Sequence, residues 1–232
     1  MSKKDQLREQ RAGTIINKIS QKEDKQCIKA VERVIEALKQ EFNVNIIWQK
    51  RLHLSDIIDC LKRMFNDVEF AQPNETSFMS PDGGITFLTD KEGTSYPILI
   101  AEVKNQGTND KRQEEGKSKQ AQGNAVERLG KNVIGFRTFM LNEGIFPFVC
   151  FGDGCDFEPG SSILDRIITI AMFGKLNEDG TSNCGPNGIF NRGSYYFRKQ
   201  EWTEDEMFNI LLEVGRKSIY YYFSKYGDKN FR

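Results

Sequence analysis

The stretch Ser80-Pro81-Asp82-Gly83-Gly84 puts an acid in a turn, and twenty positions after Asp82 comes Glu102, in the run Ala101-Glu102-Val103-Lys104 that ends an apolar segment. Successive side chains of a strand alternate between its faces, so Glu102 and Lys104 point the same way and Val103 points into the core. If Asp82 converges on that face, two carboxylates form an oxygen-rich site suited to Mg²⁺. Lys104 would then lie beside an attacking water. The pattern is typical of metal-assisted phosphoryl transfer.

The same residues also have an ordinary structural interpretation. Glu-x-Lys is common on amphipathic strands, where it forms a solvated ion pair, and Asp-Gly-Gly is a frequent hairpin turn. Short motifs often match by chance. The spacing alone therefore leaves both interpretations open.

Composition limits the class of protein. The 232 residues are enough for one sizeable α/β domain with a well-buried core. The 33 basic and 33 acidic residues balance, so binding to DNA would need basic residues concentrated on one face. With a single histidine, His53, we expect neither a histidine-metal nuclease nor a Ser-His hydrolase.

The cysteines and the apolar segments indicate the compartment. Five scattered cysteines without a Cys-x-x-Cys pair are typical of reduced thiols and not of a disulfide framework or zinc site. We find no apolar signal segment and no run long enough to span a bilayer. The sequence therefore predicts a cytoplasmic protein without membrane association.

The polar and charged composition of residues 1–25 predicts an N-terminal arm or a frayed helix, and the remaining pattern predicts a single domain over 26–232. The region 105–122 has no apolar face, and we expect it to be a solvent-exposed excursion. Strands that alternate with helices indicate an α/β fold, a mixed β-sheet flanked by helices. The predicted helices cover 26–42, 55–65, 125–141, 162–174 and about 203–223, and the strands 84–88, 96–104, 146–151 and 194–198.

A third motif, Gly123-Asn124-Ala125-Val126-Glu127-Arg128, follows the first two in order. Together they resemble the EcoRI-type type II restriction endonucleases, the group that includes RsrI and MunI. The resemblance is strongest over residues 80–151 and extends to Phe139-Met140-Leu141 and Phe146-Pro147-Phe148. It implies the restriction-endonuclease-like PD-(D/E)XK core.

The resemblance also implies a catalytic set for hydrolysis of a DNA phosphodiester. Asp82 and Glu102, with the backbone carbonyl of Val103, would hold Mg²⁺, which activates water and the scissile phosphate. Lys104 would orient or deprotonate the water and offset transition-state charge. The products would carry 5′-phosphate ends.

DNA contacts are implied at the third motif and beside it. In EcoRI-type enzymes this hexad is presented to the major groove, where its Asn, Glu and Arg bond to adenines. Asn124 and Glu127 are also spaced as a helix cap, and the two roles can coexist. Arg128 has the further alternatives of a phosphate clamp or a surface ion pair. The DNA-binding residues expected on this basis are Gln106, Gln122, Gly123, Asn124, Ala125, Glu127, Arg128 and Lys131.

The family likeness implies a homodimer that cleaves both strands of double-stranded DNA at a short palindrome with central AATT. A cognate DNA methyltransferase would protect host DNA without a stable complex, as in a restriction-modification system. Gln122 stands where EcoRI has a small residue and MunI an arginine, which leaves the outer base pair open. The 105–122 excursion is shorter than in EcoRI, which leaves open whether arms wrap the DNA.

Two other functions fit the same fold. One is a catalytically silent, sequence-specific DNA-binding protein, but all three catalytic residue types are present, which argues against it. The other is a structure-specific repair nuclease, which would need no base-reading helix start. The hexad Gly123–Arg128 argues against that alternative.

Overall fold

A computed structural model describes residues 15–105, 107–117, 123–171 and 174–232. Within them, side-chain positions are not described for 15–21, 105, 107–108, 111, 123–125 and 186–187. The helices in this part of the chain are α1 (Ile15–Phe42), α2 (Leu54–Met64), α3 (Gly107–Glu114), α4 (Gly123–Phe139), α5 (Ser162–Ile170), α6 (Gly185–Gly188) and α7 (Glu204–Tyr226), with 3-10 turns at Cys155–Phe157 and Asp228–Asn230. The strands are β1 (Asn45–Gln49), β2 (Leu52–His53), β3 (Phe78–Met79), β4 (Gly84–Thr89), β5 (Ser95–Asn105), β6 (Phe148–Asp153) and β7 (Ser194–Arg198).

Five strands form one mixed sheet in the order β1-β4-β5-β6-β7. The β1–β4 and β4–β5 pairs are antiparallel, whereas β5–β6 and β6–β7 are parallel. All six residues of β4 and all six of β6 are buried, instead of alternating between buried and exposed. A sheet buried in this way is covered on both faces. The predicted α/β architecture is confirmed.

Helices α1 and α4 cover the two faces around β5. A Cβ built on Gly83 would lie 2.7 Å from both Cys27 Sγ of α1 and Ala101 Cβ, so α1 packs beside Ala101. Asn132 of α4 instead bonds to Glu102, the next residue of β5. Because Ala101 and Glu102 point to opposite faces, the two helices lie on opposite sides of the sheet.

An aromatic core joins the sheet to α4. The Phe148 ring lies 6.3 Å from Phe136 of α4, 5.7 Å from Phe146 and 6.3 Å from Tyr195. All four side chains are fully buried. Large aromatic side chains remove much apolar surface from water, so this cluster fixes the position of α4 against the sheet.

The predicted start of α7 is confirmed in detail. Thr203 is the N-cap, its side chain accepts from Glu206 N, and the Glu206 side chain returns to the Thr203 N–H. Arg198 of β7 adds an ion pair to the Glu206 carboxylate at 2.6 Å. The Arg198 pair and the cap hold the Glu206 pKa down at about 2.

Two local predictions need correction, and three strands lie where the sequence analysis expected none. The helix expected from residue 26 begins at Ile15, so residues 15–25 are helical, while residues 1–14 of the expected arm lie outside the described residues. The 105–122 region is not simply an exposed excursion, because it contains α3. Strand β1 and the β2–β3 pair were not predicted at all, since short apolar runs do not distinguish strand from helix.

Helix α3 is attached by polar contacts and not by an apolar face. Asn109 is fully buried and donates from Nδ2 to Asp156 Oδ2, and Asp110 Oδ1 accepts from Cys155 N at 2.6 Å. Because polar anchors leave no apolar periodicity in the sequence, periodicity alone predicts an exposed segment here.

Candidate active site

The site forms where β5 runs past the end of β4. The last paired residues of the two strands are Gly84 and Ala101, while β5 continues beside β6 to Asn105. Gly83 N donates to Ala101 O at 2.9 Å, which holds the 80–84 turn against β5. The turn therefore carries Asp82 directly to residues 102–104.

Gly84 is required by this turn. Its φ is +77°, and a Cβ there would lie 2.4 Å from Trp48 Nε1 of β1. The Trp48 indole also donates to Gly83 O at 2.9 Å. A side chain at position 84 would clash with the indole and strain the backbone, so the two glycines allow β1 to brace the turn.

Asp82, Glu102 and Lys104 come together in the structure. Lys104 Nζ contacts Glu102 Oε1 directly and lies 3.4 Å from Asp82 Oδ2. Asp82 N donates to Glu102 Oε2 at 3.3 Å, and Val103 N donates to Asp82 Oδ2 at 3.2 Å. The three residues thus form one bonded group, although their catalytic role stays a prediction.

Burial changes the acid–base behaviour of this group. Glu102 is 2% exposed, and desolvation, reinforced by the Asp82 charge and opposed by Lys104, raises its pKa to about 7. Desolvation also opposes the charge on Lys104, but Glu102 and Asp82 outweigh it and raise the lysine pKa. In the metal-free protein, Lys104 is therefore protonated beside a carboxyl group whose pKa is raised.

The donor set fits a hard divalent cation. Two carboxylates converge at one end of β5. In a strand, the N–H and the C=O of one residue point to the same side of the strand. Since Val103 N donates toward Asp82, the Val103 carbonyl faces the same turn. In the described part of the chain no three His, Cys, Asp or Glu side chains form a metal-binding group. An ion here would be held by two carboxylates and a backbone oxygen, as Mg²⁺ sites with several open positions often are.

Two residues near the site were missed by the sequence analysis. Asn132 of α4 donates from Nδ2 to both Glu102 oxygens, at 3.3 Å each. Burial, and after it the negative charge of Asp82, raises the pKa of Asp24 on α1 to about 6. Asp24 lies one helical turn before Cys27, the residue that packs on Gly83. Neither contact follows from a local sequence pattern.

Six of the eight expected DNA-binding residues belong to α4. Gly123 is the first residue of the helix, and Glu127, Arg128 and Lys131 are exposed on it. Gln106 and Gln122 lie outside the described residues, as do the side chains of Asn124 and Ala125. The described part leaves Glu127, Arg128 and Lys131 accessible to a ligand, and their DNA contacts stay a prediction.

Comparison with known proteins identifies the family. The sequence profile described as "Restriction endonuclease EcoRI" matches residues 9–162, which is more than half of the chain. The chain belongs to the EcoRI restriction endonuclease family. This range includes Asp82, Glu102, Lys104 and the hexad Gly123–Arg128. The EcoRI family has the restriction-endonuclease fold, which agrees with the mixed sheet and its flanking helices.

Two curated EcoRI-family proteins are similar to this chain. The type II restriction enzyme RsrI from Cereibacter sphaeroides is 29% identical over 178 residues, which are 62% of this chain and 64% of RsrI. The type II restriction enzyme EcoRI from Escherichia coli is 27% identical over 222 residues, 80% of each chain. The chain thus spans just under two thirds of RsrI and a larger share of EcoRI.

Helices long and apolar enough to cross a bilayer are absent from the described residues.

The Glu102 pKa predicts a pH-dependent stability in the metal-free protein. Between 4.5, the ordinary Glu pKa, and about 7, the folded state keeps a proton that the unfolded chain has released. The free energy of unfolding should therefore fall as the pH rises through this window. Urea unfolding in EDTA should show a steeper fall for the wild type than for Glu102→Gln.

The comparison isolates Glu102 from other groups. Asp24 and Asp153, whose pKa values burial raises to about 6, contribute in the same direction to both proteins and cancel. Equal slopes for the wild type and Glu102→Gln would contradict the prediction.

Proposed function

We propose that this protein is a type II restriction endonuclease that uses Mg²⁺ to cleave both strands of DNA at a short palindrome with central AATT, leaving 5′-phosphate ends. The observation that carries the proposal is the bonded group of Asp82, Glu102 and Lys104 at the open end of β5. Burying a carboxylate and an ammonium costs desolvation free energy, which their attraction often does not offset, so a purely structural role would gain little from them. They are useful where a phosphate and a cation must be held together.

Each residue of the group has a separate task in this reaction. Asp82 and Glu102, with the Val103 carbonyl, would hold Mg²⁺, which when bound supplies Lewis-acid activation of water and phosphate. Lys104 would orient the attacking water, accept or guide its proton, and offset the charge that develops on the phosphate. The hydrogen bond from Val103 N to Asp82 keeps one carboxylate oriented before DNA arrives.

The start of α4 supports DNA as the substrate. Arg128 and Lys131 are exposed cations, and Glu127 is an exposed acceptor that can bond to base amino groups. The same helix reaches the catalytic group through Asn132, so bound DNA would meet both. Gln106, Gln122, Gly123, Asn124 and Ala125 complete the proposed contact set.

One experiment tests the activity directly. Purified protein is incubated with plasmid DNA and MgCl₂ or EDTA, and the fragment ends are sequenced. We expect discrete fragments with Mg²⁺ only, all with 5′-phosphates and a shared AATT. Binding without cleavage would favour the catalytically silent DNA-binding alternative, and cleavage at branched or damaged structures would favour the repair nuclease. Methylation of the same sequence by a cognate methyltransferase is expected to protect the DNA.

Asn124→Ala tests the proposed base contacts. An asparagine amide can accept from N6 and donate to N7 of adenine, so its loss should cost about 1–3 kcal/mol of discrimination at one central position. The measurement is the cleavage rate on duplexes altered at each base pair in turn. Asn209→Ala, an exposed asparagine on α7, is the matched control. Fragment ends without a common AATT would contradict this assignment of specificity but not the proposal that the protein is a nuclease.

We further propose an active homodimer, because a double-strand break needs two catalytic groups and a palindrome presents two equal half-sites. The proposed interface is formed by α4 and α5. Ile134 of α4 is 69% exposed, as expected for an apolar residue that a second subunit covers. Ile134→Glu should weaken the dimer in sedimentation velocity, whereas Ile189→Glu, outside α4 and α5, should not. A wild-type monomer both free and on DNA would contradict the proposal.

A further inference from the structure

Asn132 makes an unusual connection between a helix and a strand. Its Nδ2 lies 3.3 Å from Glu102 Oε1 and 3.3 Å from Glu102 Oε2, so one amide faces both oxygens of the buried carboxylate. The other contacts of this carboxylate come from Lys104, on the same strand, and from Asp82 N in the adjoining turn. Of these partners, only Asn132 belongs to the helix that begins with the hexad.

Helix α4 packs against the core through the residues on either side of Asn132. Leu129 and Phe136 are completely buried and Val133 nearly so, on either side of Asn132. Arg128 stands four residues before Asn132, one helical turn away on the same face, and is exposed. A continuous helix moves as a unit over one turn, since its backbone hydrogen bonds link each residue to the fourth one before it. A displacement of Arg128 would therefore also displace Asn132.

We propose that Asn132 is a positioning residue that couples DNA recognition by the first turns of α4 to the orientation of the Glu102 carboxylate. This inference rests on the proposed function, because it assumes that Arg128 and its neighbours contact DNA. A correct sequence lets α4 take one position and Asn132 hold both oxygens of Glu102 in place. An incorrect base pair shifts the first turns of the helix and turns the carboxylate away. Discrimination then occurs in the cleavage step as well as in binding.

Single-turnover cleavage separates coupling from a merely structural role. Two duplexes are compared: the site found by sequencing wild-type fragments, and the same site with one central base pair changed. For Asn132→Ala we expect the cognate rate to fall by about 10- to 100-fold, as for other residues that orient a metal ligand. The rate on the altered duplex should fall less, so the ratio of the two rates is compressed. Equilibrium binding to both duplexes should be unchanged.

Two further variants control this experiment. Asn132→Gln keeps the amide donors on a longer side chain and should recover part of the cognate rate and of the ratio. Asn209→Ala, the exposed helical asparagine of α7, should match the wild type. If Asn132→Ala does not fold by circular dichroism, Asn132→Leu, which has nearly the same shape and no amide donors, replaces it, with a compressed ratio supporting the proposal and a wild-type ratio overturning it.

A second readout does not depend on cleavage. Ca²⁺ binding is titrated calorimetrically, with and without a cognate duplex that carries a non-hydrolysable linkage at the cut position. The duplex should tighten Ca²⁺ binding in the wild type and do so less in Asn132→Ala. Equal rate losses on both duplexes, or unchanged Ca²⁺ linkage, would overturn the coupling but not the nuclease. A wild-type protein that neither cleaves nor binds duplex DNA would overturn both.

Discussion

Asp82→Asn is expected to abolish DNA cleavage while DNA binding persists. The asparagine Oδ1 can still accept from Val103 N, the bond that now reaches Asp82 Oδ2, so the 80–84 turn should keep its shape. What is lost is the negative charge that would help to hold Mg²⁺, and with it several kcal/mol of transition-state stabilisation. Each 1.36 kcal/mol corresponds to about a tenfold change in rate. A fall of several orders of magnitude follows.

DNA binding should not fall together with cleavage when this charge is removed. In metal-free buffer the carboxylates of Asp82 and Glu102 repel the scissile phosphate, so removing one charge should leave binding equal or tighter. Glu102→Gln should behave in the same way. Fluorescence anisotropy with a labelled duplex measures binding, and gel assays in Mg²⁺ measure cleavage.

Asp59→Asn, an exposed acid on α2, is the matched control and should cleave at the wild-type rate. A near wild-type rate for Asp82→Asn in Mg²⁺ would remove Asp82 from the metal site.

The elements nearest the site could be predicted because their signals are local. In strand β5 a continuous apolar run precedes Glu102, and the alternation of side chains puts Glu102 and Lys104 on one face. The turn at Asp82 is encoded by two glycines. At Gly84 the structure shows why: this residue has a positive φ and lies against the Trp48 indole, where a side chain would not fit. The cap of α7 is encoded within four residues, from Thr203 to Glu206.

The rest of the site depends on contacts between distant segments. Asn132 and Glu102 are thirty positions apart, and Asp24 comes from a polar stretch whose composition predicts an arm or a frayed helix. Helix α1 begins eleven residues earlier than expected, in a stretch dominated by polar and charged residues. Tertiary packing supplies most helix stability in proteins, so such boundaries are poorly visible in a sequence. The same holds for α3, which is attached by Asn109 and Asp110.

Lys104→Ala is expected to lower the cleavage rate by about 100- to 10,000-fold, the usual contribution of a positioned proton-transfer group. The Lys104 side chain is only 15% exposed and lies against both carboxylates. Their negative charges keep it protonated, with a raised pKa, in the metal-free protein. A divalent cation bound by the same carboxylates would weaken their hold on the lysine. Lys104 would then be free to contact the water and the phosphate.

This reasoning separates Lys104 from the metal ligands in one measurement. Lys104→Ala should still bind Ca²⁺, since Asp82, Glu102 and the Val103 carbonyl remain, whereas Asp82→Asn should bind it weakly. Lys91→Ala, an exposed lysine after β4, should keep both the wild-type rate and the wild-type Ca²⁺ affinity. Parallel calorimetry and single-turnover cleavage on the three variants test the assignment. A Lys104→Ala protein that cleaves normally, or that loses its metal together with its activity, would show that the lysine does not act on the water.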